Sequence, residues 1–145
     1  MAAICTGMFA FGCIRPYCST FLNFIEYCFP AVRLAALSHF PVLYVMTHDS
    51  VGLREDGPTH QPIEAISLIR ATPNLELWRP ADGNEVNAAY IKALQNLRTP
   101  SVICLSRQAL PHVASSSFEA ACKGAYVAIN ESGPLQVWST GQIPI

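Results

Sequence analysis

Charged side chains are scarce in this sequence of 145 residues. They make up 13% of it, whereas soluble globular domains usually carry about 25%. The nine basic residues are scattered and the net charge is −1. This excludes the basic stripe of a nucleic-acid-binding protein and the basic amphipathic helix of a membrane-surface protein. We predict neither nucleic acid nor a membrane as a partner, and we predict that another domain or subunit covers part of the surface.

Metal-binding and secretory patterns are also missing. No C-x-x-C pair occurs, and no cysteine lies at close ligand spacing from a histidine, which argues against zinc. The apolar segment 1–14 lacks the positive start of a signal peptide, and Arg15 and Pro16 end it well short of the ~20 residues of a membrane span. We therefore predict reduced thiols and a cytoplasmic protein. The six cysteines are Cys5, Cys13, Cys18, Cys28, Cys104 and Cys122.

Apolar runs of strand length alternate with helical patterns along the chain. This alternation predicts an α/β domain whose mainly parallel sheet has right-handed crossovers and helices on both faces. A capping box, Asp82 with Glu85 three residues later, marks one helix start, and Pro30 should kink or divide another helix. The predicted strands are 41–46, 75–78, 101–105, 125–129 and 135–138, and the predicted helices are 1–12, 21–39, 62–71, 83–97 and 118–123.

Polar residues that could bind a ligand or take part in a reaction follow the predicted strands. His48 and Asp49 come after the first, Arg79 after the second, and Ser106 and Arg107 after the third. The carboxyl ends of parallel strands meet at one edge, where open α/β sheets bind ligands. Arginine suits phosphate or carboxylate, so together these residues predict an anion site. Taken singly, a surface ion pair would account for Arg107 and an ordinary loop histidine for His48.

The loop after the first strand holds a second candidate pair. Asp56 and His60 flank the rigid turn Gly57–Pro58. An acid and an imidazole held this way suit hydrogen bonding to a polyol or proton transfer to a carbonyl oxygen. A capping aspartate and an exposed histidine would give the same spacing. No G-x-G-x-x-G, Walker A or G-x-S-x-G motif is present to narrow the choice.

Three aromatic residues, Phe21, Phe24 and Tyr27, recur with Cys28 at spacings that fall on one face of a helix. A stripe of this kind predicts a face packed in the core.

The longest of these motifs resembles a known family. The run T-H-D-S-V-G-L-R-E-D-G-P-T-H-Q-P-I-E, residues 47–64, is similar to the transketolase signature THDSIGxGEDGPTHQP. The likeness continues through R-A-T-P-N (70–74), R-P-A-D-G-N-E (79–85) and L-S-R-Q (105–108), and upstream through T-F-L-N-F (20–24) and V-R-L-A-A-L-S (32–38). It implies a three-layer α/β pyrimidine-binding domain of a thiamine-diphosphate enzyme, incomplete at its N-terminal side. Residues 1–130 would belong to it, and 131–145 would be a linker and the start of a further domain.

The resemblance implies a role for each candidate. Phe21, Phe24 and Tyr27 would surround the aminopyrimidine ring of thiamine diphosphate, since flat heterocycles stack on aromatic rings. His48 and Arg107 would bind a substrate phosphate, and Asp56 would read a substrate hydroxyl. His60 would lie beside the reacting two-carbon unit as the catalytic donor or proton shuttle. The activity implied is ketol transfer between sugar phosphates in the pentose phosphate pathway, by a homodimer or beside a full-length subunit.

The sequence also departs from the family. Arg54 replaces a usual glycine and places a charge beside the substrate loop, and Cys18 and Ser19 stand where small residues are common. The glutamate that activates the cofactor would precede Met1, and the domain that binds diphosphate and Mg²⁺ would lie outside this chain. We therefore expect these 145 residues alone not to catalyse ketol transfer. Alternatives are a non-catalytic interaction module or remnant, and a fragment of a dihydroxyacetone synthase or deoxyxylulose-phosphate synthase.

Overall fold

The computed structural model describes residues 1–50, 52, 56–130 and 136–140. Arg54, one of the departures from the family pattern, lies outside these residues. Elements are numbered in chain order. The helices are α1 Ala2–Phe11, α2 Ile25–Leu37, α3 Ala65–Arg70, α4 Gly83–Gln95 and α5 Phe118–Ala121. The strands are β1 Tyr17–Phe21, β2 Leu43–Thr47, β3 Glu76–Trp78, β4 Ser101–Cys104, β5 Ala125–Asn130 and β6 Gln136–Thr140, and short 3₁₀ turns cover Leu22–Phe24 and Pro58–His60.

A four-stranded parallel sheet organises the molecule in the order β1-β2-β4-β3. In register, Leu43 of β2 faces Tyr17 of β1 on one side and Ser101 of β4 on the other. All four strands therefore end at one edge, as the alternating pattern predicts. β5 and β6 form a separate antiparallel pair.

Helices cover both faces of the parallel sheet. Tyr44 and Met46 of β2 belong to one buried cluster with side chains of α1, α2 and α3. Leu43 of the same strand lies in the other cluster with Trp78 and with α4. Successive strand residues point to opposite faces, so the continuous apolar run of β2 contributes side chains to the buried clusters on both faces of the sheet. The predicted three-layer arrangement is confirmed.

The sequence interpretation missed β1. Pro16 and its neighbours predict a loop over residues 13–19 and a helix from Phe21, but Tyr17–Phe21 pairs with β2 along its whole length. The aromatic spacing favoured a helix, whereas the five residues of β1 are too few to display a clear strand period. The helix begins only at Ile25, and it continues through Pro30 to Leu37 without being divided.

Two helices present different faces from those predicted. The mostly apolar composition of segment 1–12 predicts a buried helix, yet Ile4, Met8 and Phe11 of α1 are exposed. On α4 the helical spacing of Val86, Tyr90 and Leu94 predicts the inner face, yet Leu94 is exposed, whereas Ala89 and Ala93 are fully buried. Small side chains let the helix approach the sheet closely, so larger neighbours lie at the margin. α3 also starts at Ala65, three residues later than predicted.

Arg15 joins the start of β1 to the end of α4. Its guanidinium donates to the carbonyl oxygens of Pro41 at 2.9 Å and Asn96 at 2.8 Å, and also to those of Ala93 and Leu94. The last carbonyl groups of a helix have no partner within the helix, and a cation at this end also interacts favourably with the helix dipole. Burial lowers the pKa of Arg15, and the nearby Glu76 opposes that shift.

We expect the substitution Arg15→Ala to lower the free energy of unfolding by about 1.5–3 kcal/mol, as for other hydrogen bonds that involve a charged group. Urea denaturation of the purified chain measures it. Arg98→Ala is the matched control, because Arg98 is exposed and surface changes usually alter stability by less than about 0.5 kcal/mol. Equal losses in the two variants would contradict the role given to Arg15.

Candidate functional site

The carboxyl-terminal edge of the sheet carries the candidate residues. β1 ends at Phe21, β2 continues into His48 and Asp49, and β3 continues into Arg79. The ladder between β2 and β4 extends past both strands, because Leu105 donates its N–H to Met46 O at 2.7 Å and Asp49 donates its N–H to Leu105 O at 3.2 Å. The loops that follow β2 and β4 therefore leave the sheet side by side.

Four rings form a cluster at this edge. The His48 ring lies on Phe21 with a centroid separation of 3.7 Å and an interplanar angle of 22°. Phe24 is nearly parallel to Phe21 at 6.0 Å. His60 approaches Phe24 edge-on at 5.2 Å. The structure thus brings together two histidines and two phenylalanines that the sequence separates by up to 39 positions.

The aromatic stripe is present, but it is neither helical nor part of the core. Phe21 ends a strand, Phe24 lies in a 3₁₀ turn, and only Tyr27 is on α2. Tyr27 is 86% exposed and its ring centroid lies 6.0 Å from that of Phe24. The three rings form a half-open shelf at the end of β1, an edge strand of the sheet. The core-facing interpretation of the stripe is wrong, since side chains spaced for one helix lie on three different elements.

Both histidines are oriented in the same way. His48 Nδ1 lies 2.9 Å from Thr47 Oγ1, and His60 Nδ1 lies 2.9 Å from Thr59 Oγ1. When the threonine hydroxyl donates to Nδ1, the proton is on Nε2, and that nitrogen can donate to a ligand. The dipeptide Thr-His occurs twice in the sequence, and this repeat is a signal that sequence reasoning did not use.

Asn23, which the sequence analysis does not single out, connects the loop that carries His60 to the aromatic shelf. Asn23 Nδ2 donates to Thr59 O at 2.8 Å, beside the contact of Phe24 with His60. The available signal was a polar residue between two phenylalanines. Slight burial and then the neighbouring Glu64 raise the pKa of Glu26 on the first turn of α2.

Arg79 lies at the predicted edge, but it already has an anionic partner. Its Nε donates to Asp49 Oδ2 at 2.7 Å. Asp49 is 9% exposed, while the Arg79 side chain is 46% exposed. The two residues share the lining of a cleft of about 400 Å³ with Ser50 and Gln61, and of a second cleft of about 280 Å³ with Ser106. The charge of Arg79 is therefore largely committed to Asp49.

The two remaining candidates lie on the surface around this edge. Arg107 is exposed and follows the β4 extension by two residues. Asp56 is exposed and precedes the turn that carries His60. The structure thus gathers His48, His60, Phe21 and Phe24 in direct contact, with Tyr27 adjoining them, and places Asp56 and Arg107 in the flanking loops.

Comparison with protein-family models gives one match, over residues 1–113, to the transketolase pyrimidine-binding domain. The chain belongs to this family. Transketolase 2 of Saccharomyces cerevisiae is 58% identical over 143 residues, which cover 97% of this chain and 21% of the yeast protein. The chloroplastic transketolase of Solanum tuberosum is 52% identical over 91% of this chain and 18% of its own length. The chain therefore spans about a fifth of the length of these transketolases.

Solved transketolase structures have the same fold. The transketolase of Pichia stipitis in complex with sedoheptulose-7-phosphate superposes with a TM-score of 0.87 at 53% identity, over 91% of this chain and 20% of that chain. A split-gene transketolase, described as an inactive β4 tetramer, has a TM-score of 0.64 at 28% identity over 86% of this chain and 39% of that chain. The pyrimidine-domain fold implied by the sequence resemblance is confirmed.

The aromatic shelf fits the pyrimidine end of thiamine diphosphate. Rings that are partly exposed at the end of an edge strand offer an apolar surface for a flat heterocycle, and His48 and His60 place nitrogen atoms beside that surface. Among the described residues, no group of three His, Cys, Asp or Glu side chains is arranged to hold a metal ion. The described part of the chain also contains no helix long and apolar enough to cross a membrane.

Proposed function

We propose that this chain forms the pyrimidine-facing and substrate-facing part of a transketolase site. The observation that carries the proposal is the direct contact between His48, Phe21, Phe24 and His60 at the carboxyl edge of the sheet. A flat aromatic shelf beside two imidazole rings, which can donate or accept hydrogen bonds, suits a heterocyclic cofactor and an oxygen-rich substrate at once. The activity proposed is transfer of a two-carbon ketol unit from a ketose phosphate to an aldose phosphate.

Phe21, Phe24 and Tyr27 would hold the aminopyrimidine ring. Thiamine diphosphate, when bound, supplies a nucleophilic carbon that accepts the two-carbon unit. The shelf orients the cofactor and excludes water from one of its faces. The ring of His48 already covers part of Phe21, so Phe24 and Tyr27 offer the larger free surface. Mg²⁺ and the diphosphate are proposed to be bound outside this chain.

His48 and Arg107 would bind the phosphate of the sugar. Arg107 offers a planar set of donors that matches phosphate, and the Nε2 of His48 is left for the ligand by the contact of Nδ1 with Thr47. Asp56 would accept a hydrogen bond from a substrate hydroxyl and so discriminate its configuration. His60, fixed through Thr59, would donate a proton to, or take one from, an oxygen of the two-carbon unit.

We also propose that these 145 residues are inactive when expressed alone and act only with the remainder of a transketolase. The proposal rests on the part of the family's length that they span, about a fifth. The split-gene neighbour, inactive as a β4 tetramer, is a precedent. Many large apolar side chains are exposed, among them Phe11, Tyr17, Leu37 and Leu97, which fits cover by other domains in a homodimer or beside a full-length subunit.

The expected result is no turnover of xylulose 5-phosphate with ribose 5-phosphate when the purified chain is given thiamine diphosphate and Mg²⁺. A coupled spectrophotometric assay measures it. The positive control is a chimera in which this chain replaces the matching segment of Saccharomyces cerevisiae transketolase 2, and we expect this chimera to be active. Turnover by the isolated chain would contradict the proposed dependence, and an inactive but folded chimera would contradict the proposed function.

Two finer assignments belong to the same proposal. We place the protein in the cytoplasm, since all six cysteines are free thiols, as the sequence predicts and as a reducing compartment allows. We also prefer transketolase to dihydroxyacetone synthase, because the loop carrying Asp56 and His60 matches the transketolase signature. The division of the chain at residue 130 stays a prediction.

A further inference from the structure

His48 adopts a backbone conformation that needs support from its surroundings. Its φ is 59°, in the left-handed region, which is unfavourable for a residue other than glycine. Residues keep such conformations only where neighbouring contacts enforce them. The consequence of this conformation is the placement of the imidazole on Phe21, 3.7 Å between ring centroids.

The next residue supplies the contacts. Asp49 donates its backbone N–H to Leu105 O at 3.2 Å and accepts from Arg79 Nε through Oδ2 at 2.7 Å. The first contact fixes the end of β2 to the extension of β4, and the second fixes it to the residue that follows β3. Three strand ends are thereby joined through Asp49, directly beside His48.

The ion pair is asymmetric in its burial. Asp49 is nine-tenths buried, and Arg79 is nearly half exposed. A buried carboxylate needs a paired charge or several hydrogen bonds. The charge of Asp49 also acts on the buried thiol of Cys104, whose pKa is raised to about 12 by burial and then by Asp49, against the opposing effects of Arg79 and Arg70. Because the buried carboxylate of Asp49 needs a paired charge, it stays beside the guanidinium of Arg79.

We propose that Asp49, held by Arg79, is the positioning residue that keeps the His48 imidazole stacked on Phe21. Neither Asp49 nor Arg79 acts on the reacting atoms in this proposal. The geometry concerns this chain alone, and only its consequence for a sugar phosphate rests on the proposed function. Loss of the pair should free the β2 loop to leave the left-handed conformation and release the ring.

Proton NMR of the purified chain tests the inference. The ring protons of His48, assigned with the variant His48→Gln, should resonate upfield because they lie over Phe21, and Phe21→Leu measures that contribution. Asp49→Asn removes the buried charge and leaves an exposed arginine, so the fold should survive. We expect it to abolish most of the upfield shift of His48 and to leave the signals of His39, at the opposite end of the sheet, unchanged.

Two further variants make the outcome decisive. Asp56→Asn is the matched control for the NMR signal, because it makes the same chemical change at an exposed position, and it should leave the His48 shift intact. Arg79→Lys keeps the positive charge but loses the Nε donor, and we expect a smaller loss of the shift. A folded Asp49→Asn chain in which the His48 ring protons keep the wild-type upfield shift would overturn the inference. Should Asp49→Asn fail to fold, Arg79→Lys decides in the same way.

Addition of xylulose 5-phosphate separates this inference from the proposed function. A His48 signal that responds to the sugar phosphate in the wild-type chain, and responds more weakly in Asp49→Asn, supports both. A stacked His48 signal that is lost in Asp49→Asn, together with a KM for xylulose 5-phosphate that His48→Gln leaves unchanged in the chimera with Saccharomyces cerevisiae transketolase 2, supports the positioning role and contradicts the proposed function of His48.

Discussion

Replacement of Asp82 by alanine should lower the free energy of unfolding by about 2–5 kcal/mol, because it removes a helix cap worth about 0.5–2 kcal/mol and hydrogen bonds to a buried charge worth about 1.5–3 kcal/mol. Asp82 is buried and caps α4, where Oδ1 accepts from Glu85 N at 3.1 Å. Its Oδ2 accepts from Val113 N at 3.1 Å and from Ser116 Oγ at 2.5 Å, and lies 3.0 Å from His112 Nδ1. One carboxylate thus holds a helix start and the loop after β4 together.

Chemical denaturation of the purified chain measures this loss. Asp56→Ala provides the matched control, since the same change at an exposed position should alter stability by less than about 0.5 kcal/mol. An Asp82→Ala chain as stable as this control would show that the loop and helix are held by other contacts.

The same carboxylate predicts a dependence of stability on pH. Burial by itself raises the pKa of Asp82, but hydrogen bonds from Ser116 and from two backbone N–H groups, together with His112, outweigh it and leave the pKa below its ordinary value. A lowered folded-state pKa means that the stabilisation is complete above the unfolded pKa of about 3.9 and is lost as pH falls through the folded pKa. Asp82→Asn should lack this acid-dependent contribution.

In the chimera with Saccharomyces cerevisiae transketolase 2, His60→Ala should lower kcat by about 10²–10⁴-fold, the usual contribution of a positioned acid or base. His60 lies against Phe24 and its Nδ1 is occupied by Thr59, so Nε2 is the atom available to the substrate. Steady-state assay with xylulose 5-phosphate and ribose 5-phosphate measures the change.

The control for this prediction is His39→Ala in the same chimera. His39 is exposed and precedes β2, at the end of the sheet opposite the candidate site, so its removal should leave kcat near that of the unsubstituted chimera. A His60→Ala chimera with unchanged kcat and raised KM would assign His60 to substrate binding alone.

Local patterns in the sequence determined most of the elements of the fold. The apolar runs that became β2, β3 and β4, the capping aspartate of α4 and the parallel arrangement follow from side-chain periodicity and turn residues, which act over a few positions. The candidate site depended on longer motifs. The strand ends point to His48 and Arg107, the turn Gly57–Pro58 points to Asp56 and His60, and the family resemblance implies their separate roles and those of the aromatic residues.

The tertiary structure decided how those residues meet. Strand pairing over its full length made β1 a strand where local spacing favoured a helix, and this placed Phe21 under His48. Packing of Ala89 and Ala93 against the sheet leaves Leu94 of α4 exposed. The pairing of Arg79 with Asp49 joins positions 30 residues apart, and no local pattern contains it. Sequence determines the contacts that a few neighbouring residues can make, whereas long-range contacts depend on which strands and helices lie next to one another after folding.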